Sequence, residues 1–235
     1  MEQPLSRLVE ARTEKLATTS VEPLYADPFW EARYGEERTR RFGDEDARFH
    51  VRYLVQALAE QRPSVLEGYA RWLRTLLVSR GMCTRHLDRH FTGLAAALEA
   101  EGWGPGTAPH DYMRAARDAL RYTEGPAHLL EEEAPALARA AAGRLTLYII
   151  PEDRTRLEEE LQLHLSYLAD ALASGRPEVM GDHVRWYVGF WPRRGFGLLA
   201  FPSVLGMLKS VLGTRHPEAR ALLATAGVSW EETRS

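Results

Sequence analysis

His50 and His164 each stand on an apolar helical stripe, and each has a tyrosine three residues on, Tyr53 and Tyr167. Imidazole changes charge near neutrality and is a common ligand of transition metals and of haem iron. Two such rings facing each other across a helical core would hold a metal or a haem. The same residues also fit a plainer role, in which each ring bonds a facing hydroxyl or carbonyl inside the core. Neither histidine has the Glu-x-x-His spacing of a helical metal site, and that tips the reading toward packing.

His86 and His90 are spaced i, i+4, which puts two ring nitrogens on one helical face in an arrangement that suits zinc. No HExxH, CxxC or paired Glu/His pattern completes a ligand set, so packing again outweighs metal. Arg71-Trp72 and Arg185-Trp186 complete the candidate ligand-binding residues. The tryptophans read as core. The arginines flank them, placed to meet a carboxylate of the preceding helix or an anion between helices. Cys83 has no fixed base beside it, and no G-x-S-x-G elbow, phosphate-cradling glycine loop or Walker-type lysine is present. No catalytic site is evident, and no particular cofactor is indicated.

What must position these residues is a pattern written twice. Residues 50–73 and 164–187 align without a gap at an offset of 114 (164 minus 50). The offset pairs Leu54 with Leu168, Ala57-Leu58-Ala59 with Ala171-Leu172-Ala173, and Arg62-Pro63 with Arg176-Pro177. It continues through Arg80-Gly81 on Arg194-Gly195, and Leu94 and Leu98 on Leu208 and Leu212. Such a long period predicts two copies of one supersecondary unit.

Apolar residues recur at helical spacing throughout, and no β-branched alternating run interrupts them. In the first copy, Gly43-Asp44 reads as a stop and cap before a helix over about 45–61, with Ala47, His50, Val51, Leu54, Ala57 and Leu58 inward. A second helix runs from Pro63 to Arg80 with Val65, Leu66, Tyr69, Trp72, Leu73 and Leu76 inward. Thr84 caps a third, and a fourth covers about 110–123. Before them come a helix over 5–17, a loop rich in Thr, Ser and Pro, and an Asp27-Pro28 cap opening an aromatic helix with Phe29, Trp30 and Tyr34. An Ala- and Leu-rich linker with a kink or restart at Pro135 leads to the second copy, whose last helix stops at Gly227.

The predicted fold is therefore all-α: an internally duplicated helical bundle of two units, each of about four antiparallel helices, with an N-terminal helical pair and a linker helix. The predicted divisions are an N-terminal extension (1–43), first repeat (44–126), linker helix (127–151), second repeat (152–228) and polar tail (229–235).

Composition narrows the function. The 235 residues carry a net charge of −3, which gives no basic face for nucleic acid. No run is long and uncharged enough for a membrane span. A single cysteine and an N-terminus without a signal-peptide pattern fit a reducing cytoplasm. The second copy loses charge where the first has Arg74, Arg85, Asp88 and Arg89, and it gains aromatic area. Val188, Phe190, Trp191, Phe196, Leu199 and Phe201 thereby predict a surface over 186–207 that is covered by the linker helix, the other bundle or a ligand or, failing these, by a protein partner or a second copy in a homodimer. The expected function is protein binding in an adaptor, regulatory or assembly role. A cofactor-, haem- or metal-binding sensor using His50 and His164 is the alternative.

Overall fold

The computed structural model describes residues 3–197 and 199–231, and the side chains of all these except Phe42, Leu147 and 227–231. Among the described residues the regular structure is entirely helical. The chain divides into two compact units, Met1–Leu76 with His86–Leu120, and Leu77–Arg85 with Arg121–Ser235.

The first unit begins with α1 (Leu5–Glu10) and α2 (Thr13–Tyr25), both packed on the long α4 (Glu36–Glu60). The loop expected after residue 17 is instead helical, α2 continuing through Pro23 to Tyr25. Asp27 caps α3 (Pro28–Tyr34) as expected, its carboxylate accepting the Phe29 N–H at 2.9 Å. The stop expected at Gly43-Asp44 does not occur; α4 passes straight through. Gly43 serves another purpose. A Cβ there would lie 2.6 Å from the Tyr25 hydroxyl, which donates to Asp44 at the same distance.

Helix α4 ends at Gln61, the one non-glycine residue of positive φ among the described residues (54°). The Gln61 N–H bonds the Ala57 and Leu58 carbonyls, and the Arg62 N–H bonds Ala57 at 2.9 Å. These are the orphan carbonyls of a helix end satisfied by a left-handed cap. The chain continues through α5 (Pro63–Ser79), α6 (Thr84–Ala100) and α7 (Ala108–Asp118). The stripes position the histidine of this unit: Ala47, His50, Val51, Leu54, Leu66, Tyr69, Leu73, His90, Phe91 and Leu94 are all buried.

In the second unit α8 (Gly125–Arg144) lies along α9 (Arg154–Ser174) and runs unbroken through Pro135, where a kink or restart was expected. Helix α9 ends at Gly175 (φ 63°), whose N–H bonds the Ala171 and Leu172 carbonyls, while the Arg176 N–H bonds Ala171 at 3.1 Å. Helices α10 (Glu178–Phe190), α11 (Phe201–Leu212) and α12 (Pro217–Glu231) complete the unit. Gly227 does not stop α12. The expected polar tail is helical to Glu231, and its residues 232–235 lie outside the described residues. No described helix is long and apolar enough to cross a membrane.

Candidate functional site

Each unit is built around a buried imidazole. In the first, His50 of α4 places Nδ1 2.8 Å from the Tyr69 hydroxyl of α5 and Nε2 3.2 Å from Nδ1 of His90 on α6. Phe91 closes edge-on against His50 at 5.1 Å, and Tyr53 stacks on Tyr69 at 3.8 Å. Burial holds His50 well below the usual histidine range, with His90 adding to the effect, and pushes His90 down to about 4. Burial also raises the Tyr69 hydroxyl. These rings are neutral at pH 7 because charging them would mean losing water with no counter-charge in return.

In the second unit, His164 of α9 places Nδ1 2.9 Å from Nε2 of His183 on α10, and Tyr167 stacks on His183 at 3.7 Å. The two arrangements are alike at the 114-residue offset, although the partner is a tyrosine hydroxyl in one and an imidazole in the other, and His164 has no equivalent of the His50–His90 bond. Position 50 or 164 uses Nδ1, position 69 or 183 is its partner, and position 53 or 167 stacks on that partner. Beyond His164 lies a polar cluster. Buried Glu160 accepts from the Tyr187 hydroxyl and pairs with Arg194 at 3.1 Å, and the Arg194 Nε–H donates to Tyr187 at 2.9 Å. Burial, with the Arg194 charge acting in the same direction, pushes His164 down to about 3. Burial and Glu160 raise the Tyr187 hydroxyl.

The four histidines predicted as candidates thus divide by partner. His50 and His90 bond one another. His164 bonds His183 within its own unit. His86 is buried against the rings of Phe29 and Trp30 at 4.6 and 4.9 Å. Among the described residues no group of three or more His, Cys, Asp or Glu could hold a metal ion.

The tryptophan and arginine readings need correction. Trp72 is 57% exposed, not core. The inward line of α5 runs through Leu66, Ala70 and Leu73, and at 3.6 residues per turn Trp72 sits about 120° off it. Trp186 is half-buried and stacks on Phe190 at 4.8 Å. Arg71 pairs with Glu67, and Arg185 with Asp182, one turn away on the same helix rather than on the preceding one.

The segment 186–207 also differs from expectation. Phe190, Trp191, Phe196, Leu199 and Phe201 are buried inside their own unit, and Val188 is half-buried. A short 3-10 turn, Trp191–Arg194, and the left-handed Gly195 (φ 71°) fold the segment back on itself. Trp191 then stacks on Phe196 at 5.0 Å and donates to the Leu199 carbonyl at 2.6 Å, while Arg156 covers the Phe196 ring. The added aromatic area fills this unit's core, in which α11 packs on α8, the helix expected as the linker.

Exposed aromatic surface lies elsewhere. Phe49 (47% exposed), half-buried Tyr53 and Trp72 share one side of α4 and α5, joined by the Tyr53–Tyr69 stack and the Tyr69–Trp72 contact at 6.0 Å. The positions 114 residues on, Leu163, Tyr167 and His183, are buried, and Trp186 is half-buried. Sequence reasoning also missed a buried carboxylate. Asp170 accepts from the Thr84 N–H (2.7 Å), the Thr84 hydroxyl (2.5 Å) and the Tyr122 hydroxyl (2.6 Å). The charge of Asp170 on an apolar helix face was the available signal for it. The presence of hydrogen-bonding side chains at both 69 and 183 was the signal for His183. No protein-family model, curated protein or solved structure matches this chain.

Proposed function

We propose that the chain is an internally duplicated helical protein that acts by binding another protein chain through the aromatic face of α4 and α5. The observation that carries this reading is the exposure of Trp72 and Phe49 beside Tyr53. Tryptophan is the residue most enriched at binding hot spots, and a contiguous exposed aromatic patch marks an interaction surface. The buried centres serve as cores: the rings of His50, His90 and His164 are closed off from water and held neutral by burial.

The duplication is supported by the matched Nδ1 bonds of His50 and His164 and by the matched left-handed caps at Gln61 and Gly175.

One observation favours the sensor reading as a second possibility. His90 Nε2 and His164 Nε2 are both buried with no hydrogen-bond partner. A metal analysis and an absorption spectrum of the purified chain test it; a bound chromophore or stoichiometric metal would support it.

For the binding reading, a photo-crosslinking amino acid placed at position 72 in the native cell is the test, with the exposed Lys209 of α11 as the control site. Discrete adducts from position 72 and none from 209 are expected. Equal, diffuse labelling from both would overturn the reading.

A further inference from the structure

We infer that the end of α8 and the segment joining it to α9 form a docking surface for an anionic lipid bilayer, in which Tyr148 and Ile150 insert and Arg139 and Arg144 meet the headgroups. This surface is separate from the aromatic face of α4 and α5. From Ala134 to Ile150 the chain carries two cations, Arg139 and Arg144, and no acidic residue. Both arginines are exposed, and their hydrogen bonds go to neutral acceptors, the Pro135 carbonyl at 3.3 Å and the Ser210 hydroxyl at 3.1 Å. Among the described residues neither meets a carboxylate. Other exposed arginines of this unit do: Arg154 has Glu158 and Arg185 has Asp182, each one turn away. The side chains exposed beside Arg139 and Arg144 are small, Ala140 and Gly143, so the cations stand clear of their helix.

Past the helix end, buried Leu145 anchors a 3-10 turn, Thr146–Tyr148, and the chain leaves that turn extended at Ile149 (φ −131°, ψ 154°). Extended backbone sends successive side chains to opposite sides. Ile149 is accordingly half-buried, while Tyr148 (55%) and Ile150 (60%) point outward. Among the described residues Ile150 is the most exposed large hydrophobic side chain. An aliphatic tip, a ring with a polar end and a collar of cations without acids match the layers of a bilayer surface. Ile150 reaches the acyl boundary, the Tyr148 hydroxyl stays at headgroup level, and the arginines meet anionic lipid. Exposed Glu152 is the next acid along the chain and marks the edge of the contact.

Flotation of the full chain with phosphatidylcholine vesicles containing about 30 mol % phosphatidylserine tests this, beside vesicles of phosphatidylcholine alone. The chain should float with the anionic vesicles, far less with the neutral ones, and less as salt rises. Ile150→Glu should weaken binding roughly tenfold or more, as expected for losing one inserted aliphatic side chain. Arg144→Gln should weaken it roughly fivefold, the effect of one cation at an anionic surface, and Glu152→Lys should strengthen it. Trp72→Glu should float as the unmodified chain does. These side chains are exposed, and circular dichroism melting establishes that every variant is folded. An unmodified chain that does not float, an Ile150→Glu chain that floats normally, or equal flotation with both kinds of vesicle would each overturn the proposal. So would loss of flotation in Trp72→Glu, which would move the lipid contact to α4 and α5. A chain that does not float but gives discrete protein adducts from a crosslinker at position 150 would assign this surface to a protein partner instead.

Discussion

His164 Nδ1 lies 2.9 Å from His183 Nε2, so one proton bridges the two rings, and the other nitrogen of His164 has no partner. A buried N–H without an acceptor is rarer in proteins than an acceptor left unfilled. The proton therefore belongs on Nδ1 of His164, donated to His183. The same reasoning puts the His90 proton on Nδ1, donated to His50 Nε2, and directs the His50 Nδ1–H at Tyr69. Nitrogen-15 NMR should report the Nδ1–H tautomer for His50, His90 and His164. The Nε2–H form at His164 would contradict this assignment.

These rings also set the acid limit of the fold. The folded-state pKa of His164 is depressed to about 3 from 6.5, and that of His90 to about 4, so the unfolded chain binds more protons between those values. Stability is then fully present above about pH 6.5 and falls as pH drops toward 3 to 4. Urea unfolding of His164→Gln at neutral and mildly acid pH should show a smaller loss on acidification than the unmodified chain, from a lower starting stability. An equal loss would mean His164 is not a source of the pH dependence.

Asp170 predicts a large effect from one small truncation. Asp170→Ala leaves the Thr84 N–H, the Thr84 hydroxyl and the Tyr122 hydroxyl without their acceptor. Each unsatisfied buried donor costs about 1–3 kcal/mol, so a total loss of about 3–5 kcal/mol is expected in urea unfolding. Thr84→Ala should cost clearly less, because Tyr122 still reaches Asp170.

Two backbone positions should respond in opposite directions. Gln61 holds a left-handed conformation (φ 54°) that glycine adopts freely, as Gly175 does at the matching place. Gln61→Gly should raise stability by up to about 1 kcal/mol. Gly93→Ala should lower it by about 1–3 kcal/mol despite alanine's better helix propensity, because the new Cβ meets the Ser20 main-chain carbonyl. Thermal melts of the two variants decide both.

How much of this was legible before the structure depends on where the information lies. The apolar stripes around His50 and His164, the Asp27-Pro28 cap and the helical class are local patterns, and the helices follow them. Gly43 misled because a glycine can end a helix or let a ring approach it, and only Tyr25 in place tells which. Trp72 was placed inward on its size, although its angle on α5 lies off the buried line. The lost charges of 186–207 were read as a surface covered from outside its own four helices. They instead mark a segment folded onto its own core, which depends on the left-handed turn at Gly195.

Trp72 and Trp191 therefore exchange the roles their types first suggested. Trp191→Glu would bury a carboxylate against Phe196 and Phe201, so it should unfold the chain rather than release a monomer. Trp72→Glu places its charge in water and should leave the melting temperature nearly unchanged.

Oxidative footprinting of the tryptophans, read by mass spectrometry, tests the binding face most directly, comparing dilute purified chain with chain inside the intact cell. Trp72 should be oxidised readily in the dilute chain and protected in the cell, with Trp191 protected in both. Equal oxidation of Trp72 in the two settings would contradict a protein-binding role for the face of α4 and α5.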